Sequence, residues 1–301
     1  MHHSAISEFA TSNCRSTDKS QRQAATPRIE TANIASGLLP NRLQSEELVT
    51  SVPRLAVELL IRVQEFLILL GGENNILAVR ALVVGNRGDA DPGLVGARLV
   101  EVGFALERNE REYPREWRSL AGIDVLLLLG SEWSVYWEGN EKEVAAEVDL
   151  VRTAITRGVP IFAICYGAQL VAHALGGTVS RSQHPEVGWH AVSSTAYPEL
   201  LAHTWLQWHY DVFAVPSSLK TVATNDVCPQ AMIGKRIFAT QFHPEATLEI
   251  ITSWSQGAGT QELHKLGIDH KHLCEISTER VANIAPITAR LVDWFLAEVS
   301  S

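Results

Sequence analysis

A cysteine carried by an apolar run into a sharp turn is a way of mounting a nucleophile, and Phe162-Ala163-Ile164-Cys165-Tyr166-Gly167-Ala168-Gln169 has that form. The preceding run, Gly158 to Phe162, reads as a short buried strand, and Gln169 to Leu175 as a helix ending at Gly176-Gly177. A strand-to-helix elbow needs small residues two positions either side of its nucleophile, which Ala163 and Gly167 supply. At a helix start, unpaired backbone N–H groups and the positive dipole end favour the thiolate. A thiolate there can attack a carbonyl carbon, for which it needs a base. Ala239-Thr240-Gln241-Phe242-His243-Pro244-Glu245 offers one, since an apolar strand delivers His243 at its end, Pro244 stops the sheet and Glu245 returns a carboxylate to the ring. Either element alone is weak, because buried cysteines are mostly inert and strand-end histidines mostly structural. In this order the two point to acyl transfer.

These strings resemble the signatures G-x-C-x-G-x-Q and F-H-P-E of the class I, or triad, glutamine amidotransferases, and the resemblance runs from about Arg80 to Ser253. It implies a Cys165, His243 and Glu245 catalytic triad. It also matches Leu129-Gly130-Ser131-Glu132-Trp133-Ser134-Val135 to a loop of the oxyanion hole, so the backbone N–H of Tyr166 and another near Gly130 or Ser131 would hold the oxyanion. Pro185-Glu186-Val187-Gly188-Trp189-His190 and Trp205-Leu206-Gln207-Trp208-His209-Tyr210-Asp211 are similar to substrate-side loops of GMP synthetase glutaminase domains. By that likeness Gln169, Glu186, Trp208 and His209 would grip the α-amino and α-carboxylate groups of the substrate. Ala163 stands where the family has the first elbow glycine, and Ser131 where it has the second loop glycine; both are small. The implied reaction is hydrolysis of the glutamine side-chain amide through a Cys165 thioester, with ammonia passed to a separate synthetase. A stand-alone γ-glutamyl amide or peptide hydrolase and a non-catalytic binding or regulatory protein of the same fold are the alternatives. No cofactor and no metal are implied.

With 301 residues, 46% of them hydrophobic, the chain has material for one large core or two modest ones. A formal charge of -9 and the lack of a basic stripe argue against a nucleic-acid partner and for small substrates. Cys14, Cys165, Cys228 and Cys274 form no C-x-x-C pair and follow no secretory signal, which suggests the cytoplasm. Nothing in the sequence fixes the oligomeric state.

Three segments are expected. Residues 1–78 read as an extension, largely disordered, with one apolar helix at about 54–70 whose Glu58, Arg62, Gln64 and Glu65 leave it too short and too charged to span a membrane. That helix would pack on the domain or a second subunit, or anchor at a membrane surface; another reading starts the native chain at Val79. Residues 79–256 read as α/β, an open, mostly parallel sheet with helices on both faces, the flavodoxin-like fold that the resemblance implies. Its expected strands are Ala81 to Val84, Phe104 to Glu107, Ile123 to Leu129 and the elbow strand, with helices at Gly93 to Val102 and Glu141 to Thr156. Shorter strands follow at Trp189 to Ser193 and Lys220 to Ala223, then a hairpin from Gln230 through Gly234-Lys235 to Gln241. Thr247 to Trp254 reads as a helix broken by Gly257 and Gly259. Residues 257–301 read as a helical segment packed on the domain, its terminal helix running from Asn283 to Val299 with Ile284, Ile287, Leu291, Trp294 and Phe295 on one face.

Several other residues invite a functional reading and have a plainer one. Trp133, Tyr136, Trp137, Trp189, Trp205 and Trp208 read as core or rim packing. His264, His270, His272 and Cys274 suggest zinc, but their spacing fits no usual ligand pattern and the segment reads as an exposed connection. Asp211 reads as capping a turn beside His209.

Overall fold

The computed structural model describes residues 79–300, so the extension expected over 1–78, its apolar helix included, lies outside the described residues. Strand β1 (Arg80–Gly85) is followed by helix α1 (Gly93–Glu101), β2 (Ala105–Glu110), β3 (Val125–Leu128), α2 (Glu141–Arg157), β4 (Ile161–Ile164) and α3 (Tyr166–Ala174). Beyond these lie β5 (Val179–Ala191), the single turn α4 (Pro198–Leu201), β6 (Thr204–Phe213), β7 (Lys220–Thr224), β8 (Pro229–Gly234), β9 (Ile237–Thr240), α5 (Leu248–Trp254), α6 (Ala258–Lys265) and α7 (His270–Trp294).

The main sheet has seven strands in the order β2-β1-β3-β4-β9-β8-β7. The first five in that order are parallel, while β8 pairs antiparallel with both β9 and β7. Strands this short and apolar are buried on both faces, and the alternation of side chains splits the core in two. Leu82, Leu126, Leu128, Ile161, Ala163 and Ile237 face α2 and α3, where Val144, Val148, Val151 and Leu170 complete one layer. Val83, Leu127, Phe162, Ile164 and Phe238 face the other way, against Val95 and Leu99 of α1 and Ile284, Leu291 and Val292 of α7. The sheet is therefore α/β with helices on both faces, as expected.

Helix α2 shows why these elements sit where they do. Glu141 and Glu143 lie in its first turn, Arg157 in its last, and Gly158 closes it at φ 70, the left-handed conformation that glycine adopts without steric cost.

Four expectations need correction. The Trp205 to Asp211 segment, read as a loop, is part of β6, which pairs with β5 in a separate two-stranded ribbon; its alternating burial, missed among so many polar residues, marks a strand with one face covered. The strand expected at Trp189 to Ser193 is the end of the thirteen-residue β5. The terminal helix starts at His270 rather than Asn283, because Asp269 caps it by accepting from Lys271 N–H, and Leu273 and Ser277 are buried. Pro286 lies inside this 25-residue helix. Gly259 does not break a helix; it sits in α6, where a Cβ would come within 1.7 Å of the Trp254 carbonyl oxygen.

Beneath the ribbon, Val187 and Leu206 join Ala246, Ile251, Leu263 and Leu273 in a third apolar cluster. The ribbon is thereby held over the carboxyl ends of the central strands.

Candidate active site

In an open parallel sheet the loops that leave the carboxyl ends of neighbouring strands converge. Here β3 leads into Gly130, β4 into Cys165 and, just past β9, the chain reaches His243. The order β3-β4-β9 makes these three loops neighbours.

Cys165 caps α3 with φ 52 and ψ -109, a backbone conformation that side chains other than hydrogen rarely adopt. The turn is possible because its surroundings leave no room to relax: a Cβ at Gly167 would lie 2.5 Å from the Leu128 carbonyl oxygen. Cys165 is 4% exposed, and its sulfur accepts from Gln241 Nε2 at 3.6 Å. Tyr166, next in sequence, is the first residue of α3, where a backbone N–H has no acceptor within the helix.

His243 is held from three sides. Its N–H donates to the Leu206 carbonyl of β6 at 2.9 Å, Thr288 of α7 donates to the Pro244 carbonyl at 3.0 Å, and Leu94 N–H of α1 donates to the Glu245 carbonyl at 2.9 Å. The ring Nδ1 lies 2.7 Å from Glu245 Oε1, while Nε2 has no hydrogen-bond partner among the described residues. Burial alone would lower the His243 pKa, but the charges of Glu245 and Cys165 outweigh it and hold the imidazole well above its ordinary value. The indole of Trp254 stands edge-to-face against the ring at 4.8 Å between centroids. A Cβ on Gly130 would lie 3.1 Å from His243 Cε1 and 3.6 Å from Cys165 Cβ, so Gly130 flanks both.

Cys165, His243, Glu245, Gly130, Ser131, Gln169, Trp208 and His209 line one cavity of about 520 Å³. Trp133, Trp137, Trp254, Asp89, Asp91 and Arg181 extend it outward. Glu186 does not reach the cavity. It is buried behind His209, with its Oε2 3.2 Å from His209 Nε2 and its Oε1 accepting from Asn225 Nδ2 at 2.6 Å. Burial would raise the Glu186 pKa, yet its hydrogen bonds to His209 and Asn225 carry it below the ordinary value. Gln169 donates through Nε2 to the Asp211 carbonyl at 3.1 Å and to Gln241 Oε1 at 3.3 Å. His209 Nδ1 shares that Asp211 carbonyl, also at 3.1 Å.

The aromatic residues divide. Trp205 stacks on Phe242 in the core and Trp189 donates to Ser277, whereas Trp133, Trp137 and Trp208 lie at the cavity. Tyr136 and Ser134 donate to the Asp211 carboxylate, which is no turn cap but the anchor of the loop after β3. Trp254, Gln241 and Ser134 were not singled out in the sequence. Gln241 stands within the string that delivers His243 and Ser134 within the loop string after Leu129, while nothing local marks Trp254.

Among the described residues, Glu186, His209 and Cys228 are the ligand-type side chains that converge, with ligand atoms within 4.8 Å of one another. Burial pushes the Cys228 thiol up to about 12, and Glu186 already holds Asn225 and Gln230. The Glu186 carboxylate is thus held by two amides beside the His209 ring, with a neutral thiol next to it. His264, His270, His272 and Cys274 belong to α6 and α7. No helix among the described residues is long and apolar enough to cross a membrane.

Residues 98–252 match the family model described as glutamine amidotransferase class-I. Among curated relatives, a protein of Bdellovibrio bacteriovorus named GMP synthase [glutamine-hydrolyzing] is 31% identical over 188 residues, covering 60% of this chain and 36% of that one. One of the same name from Vibrio atlanticus is 37% identical over 163 residues, covering 51% of this chain and 30% of its own. The chain thus spans about a third of the length of these relatives. A Thermotoga maritima crystal structure titled as a glutamine amidotransferase superposes with a TM-score of 0.66 at 22% identity, covering 73% of this chain and 99% of that one, a likeness of fold. With its α/β sheet, its elbow cysteine and a family model matched over half its length, the chain belongs to the class-I glutamine amidotransferases.

Proposed function

We propose that this protein hydrolyses the side-chain amide of glutamine and supplies the ammonia to a separate synthetase, residues 79–256 forming the catalytic domain and 257–301 a helical segment that braces it. The observation that carries this reading is the convergence of Cys165 with the His243–Glu245 pair, 2.7 Å apart, at one cavity. The Cys165 thiolate attacks the amide carbon, and the oxyanion is held by the Tyr166 N–H and by the loop at Gly130 and Ser131. One such donor is worth about 3 kcal/mol of barrier. His243, protonated and oriented by Glu245, gives its proton to the departing nitrogen, which leaves as ammonia and a glutamyl thioester. The neutral imidazole then takes a proton from water. The resulting hydroxide attacks the thioester, and collapse of the second tetrahedral species expels the Cys165 thiolate and releases glutamate.

Gln169, Trp208 and His209 border the cavity, which supports a role for them in holding the substrate's glutamate moiety, with Glu186 acting through His209. A second reading, hydrolysis of larger γ-glutamyl amides, is favoured by the outer cavity, where Trp133, Trp137, Asp89 and Asp91 leave room beyond the cysteine. Ammonia release from glutamine and from a panel of γ-glutamyl amines, by wild type and Cys165→Ala, tests both. Turnover of glutamine lost in Cys165→Ala supports the first reading; preference for the larger amides replaces it with the second. Absence of Cys165-dependent turnover on every substrate, with and without a candidate synthetase, rejects both.

A further inference from the structure

Arg111 is fully buried beneath the cavity and unites its two halves. Its Nε donates to Glu147 Oε1 at 2.8 Å, Nη1 to Asn86 Oδ1 at 2.6 Å and to the Gly130 carbonyl at 3.1 Å, and Nη2 to the Leu129 carbonyl at 3.1 Å. Asn86 Oδ1 also accepts from the Ser131 hydroxyl at 2.7 Å. On the other side the guanidinium lies 4.5 Å from the centre of the Tyr166 ring, and the Tyr166 hydroxyl donates to Glu147 Oε2 at 2.9 Å. Burying a guanidinium is tolerated only with a paired charge and filled donors, and Glu147, also fully buried, provides the pair.

The consequence lies in peptide geometry. In a trans peptide the carbonyl of one residue and the N–H of the next point in opposite directions. A guanidinium that holds the Leu129 and Gly130 carbonyls therefore turns the Gly130 and Ser131 N–H groups away from itself. Gly130 and Ser131 both border the cavity, and Gly130 flanks Cys165 and His243. We propose that Arg111, with Glu147, is the positioning residue of the oxyanion hole, fixing the loop donors through their carbonyls and the elbow donor through Tyr166. The cation also polarises the peptides it binds, so their N–H groups become stronger donors when negative charge develops opposite. Arg111 touches no substrate; it acts through the backbone. This inference rests on the acyl-transfer reading above.

The test compares wild type with Arg111→Lys, Arg111→Met and Glu147→Gln in three assays: glutamine hydrolysis, hydrolysis of p-nitrophenyl acetate, and alkylation of the cysteine by iodoacetamide. Acyl transfer passes through an oxyanion, whereas alkylation by displacement does not. Arg111→Lys keeps the charge but cannot span two carbonyls and Glu147. It is expected to lower kcat about 100-fold, with KM and the alkylation rate within about twofold of wild type. Glu147→Gln, which leaves the buried guanidinium without its paired charge, is expected to lower kcat in the same direction, again with KM and the alkylation rate within about twofold of wild type. Unchanged kcat in both Arg111 variants, or a fall in kcat matched by an equal fall in alkylation, overturns the proposal. If wild type, with and without a candidate synthetase, cleaves the ester but not glutamine, the glutaminase reading fails and the ester assay decides on Arg111. If it cleaves neither, both fail.

Discussion

His243 Nδ1 and Glu245 Oε1 are 2.7 Å apart, with both side chains almost sealed from solvent, and only Pro244 stands between them in the chain. Such a short connection lets one turn, stiffened by Pro244, fix both the imidazole's orientation and its protonation. Nδ1 is committed to the carboxylate, which in the proposed mechanism leaves Nε2 for the cysteine and the reacting nitrogen. Replacing Glu245 by Gln keeps the size and removes the charge. We expect kcat to fall by about 1,000-fold or more, and the His243 pKa, seen by NMR of the ring, to drop because an opposing charge that raised it is gone. A His243 titration unmoved in Glu245→Gln would reject this account of the pair.

The same raised pKa makes stability depend on pH. A group whose pKa is higher in the folded than in the unfolded chain stabilises fully below its unfolded value, about 6.5 for histidine. That contribution is lost as the pH rises through the folded value. The unfolding free energy from urea titrations should therefore decline above about pH 6.5, by about 1.4 kcal/mol for each unit of pKa increase. His243→Asn should lack this component. An identical alkaline decline in both proteins would count against it.

The strain at Cys165, φ 52, predicts an order of stability among inactive variants. Alanine keeps the strained backbone, while glycine adopts it freely and gives back part of the gain as unfolded-state entropy. Cys165→Gly should exceed Cys165→Ala in unfolding free energy by about 1 kcal/mol. Equal urea midpoints and slopes would mean that the elbow stores no strain.

What could be read from the sequence was what is local. Cys165 and Gly167 share an elbow, His243 and Glu245 share a turn, and both strings carry their strands with them, so the parallel sheet and the residues of the candidate site are legible together. Partners far apart in the chain were not. Nothing local in the sequence marks Arg111 or Glu147, and the pairing of β1 with β2 and β3 brings them under Gly130. Trp254 meets His243 because α5 turns back beneath the ribbon, and the ribbon itself was half missed, since polar residues in β5 and β6 masked its alternation. Helix α7 reads short in the sequence because the apolar face of Ile284, Ile287, Leu291, Trp294 and Phe295 marks only its second half.

Glu186 tests whether support from behind the cavity matters to binding. Its carboxylate lies 3.2 Å from His209 Nε2 and shares Asn225 and Gln230 with no contact to the cavity. Glu186→Gln removes the charge that faces His209, so the ring loses its electrostatic anchor while keeping its place in β6. KM for glutamine should rise about 10-fold with kcat within about threefold, the pattern of lost binding shared by ground and transition states. A fall in kcat at unchanged KM would instead place Glu186 among the groups that serve the transition state.

Gly93 is where α1 touches the active site. At φ 46 it lies so close to the histidine loop that a Cβ would come within 1.9 Å of the Glu245 carbonyl oxygen, the same oxygen that accepts from Leu94 N–H. An alanine there must strain its own backbone and displace that of Glu245, and through Glu245 the imidazole. Gly103 provides the control, since it too has a positive φ, 101, but nothing within 4 Å of the position a Cβ would take. Gly103→Ala should cost about 1 kcal/mol of stability and leave kcat unchanged. Gly93→Ala should cost about 3 kcal/mol and lower kcat about 10-fold or more, because a small displacement of a reacting group is amplified in rate. Wild-type kcat in a folded Gly93→Ala protein would mean that the Glu245 backbone can shift without moving His243, and that the contact with α1 serves stability alone.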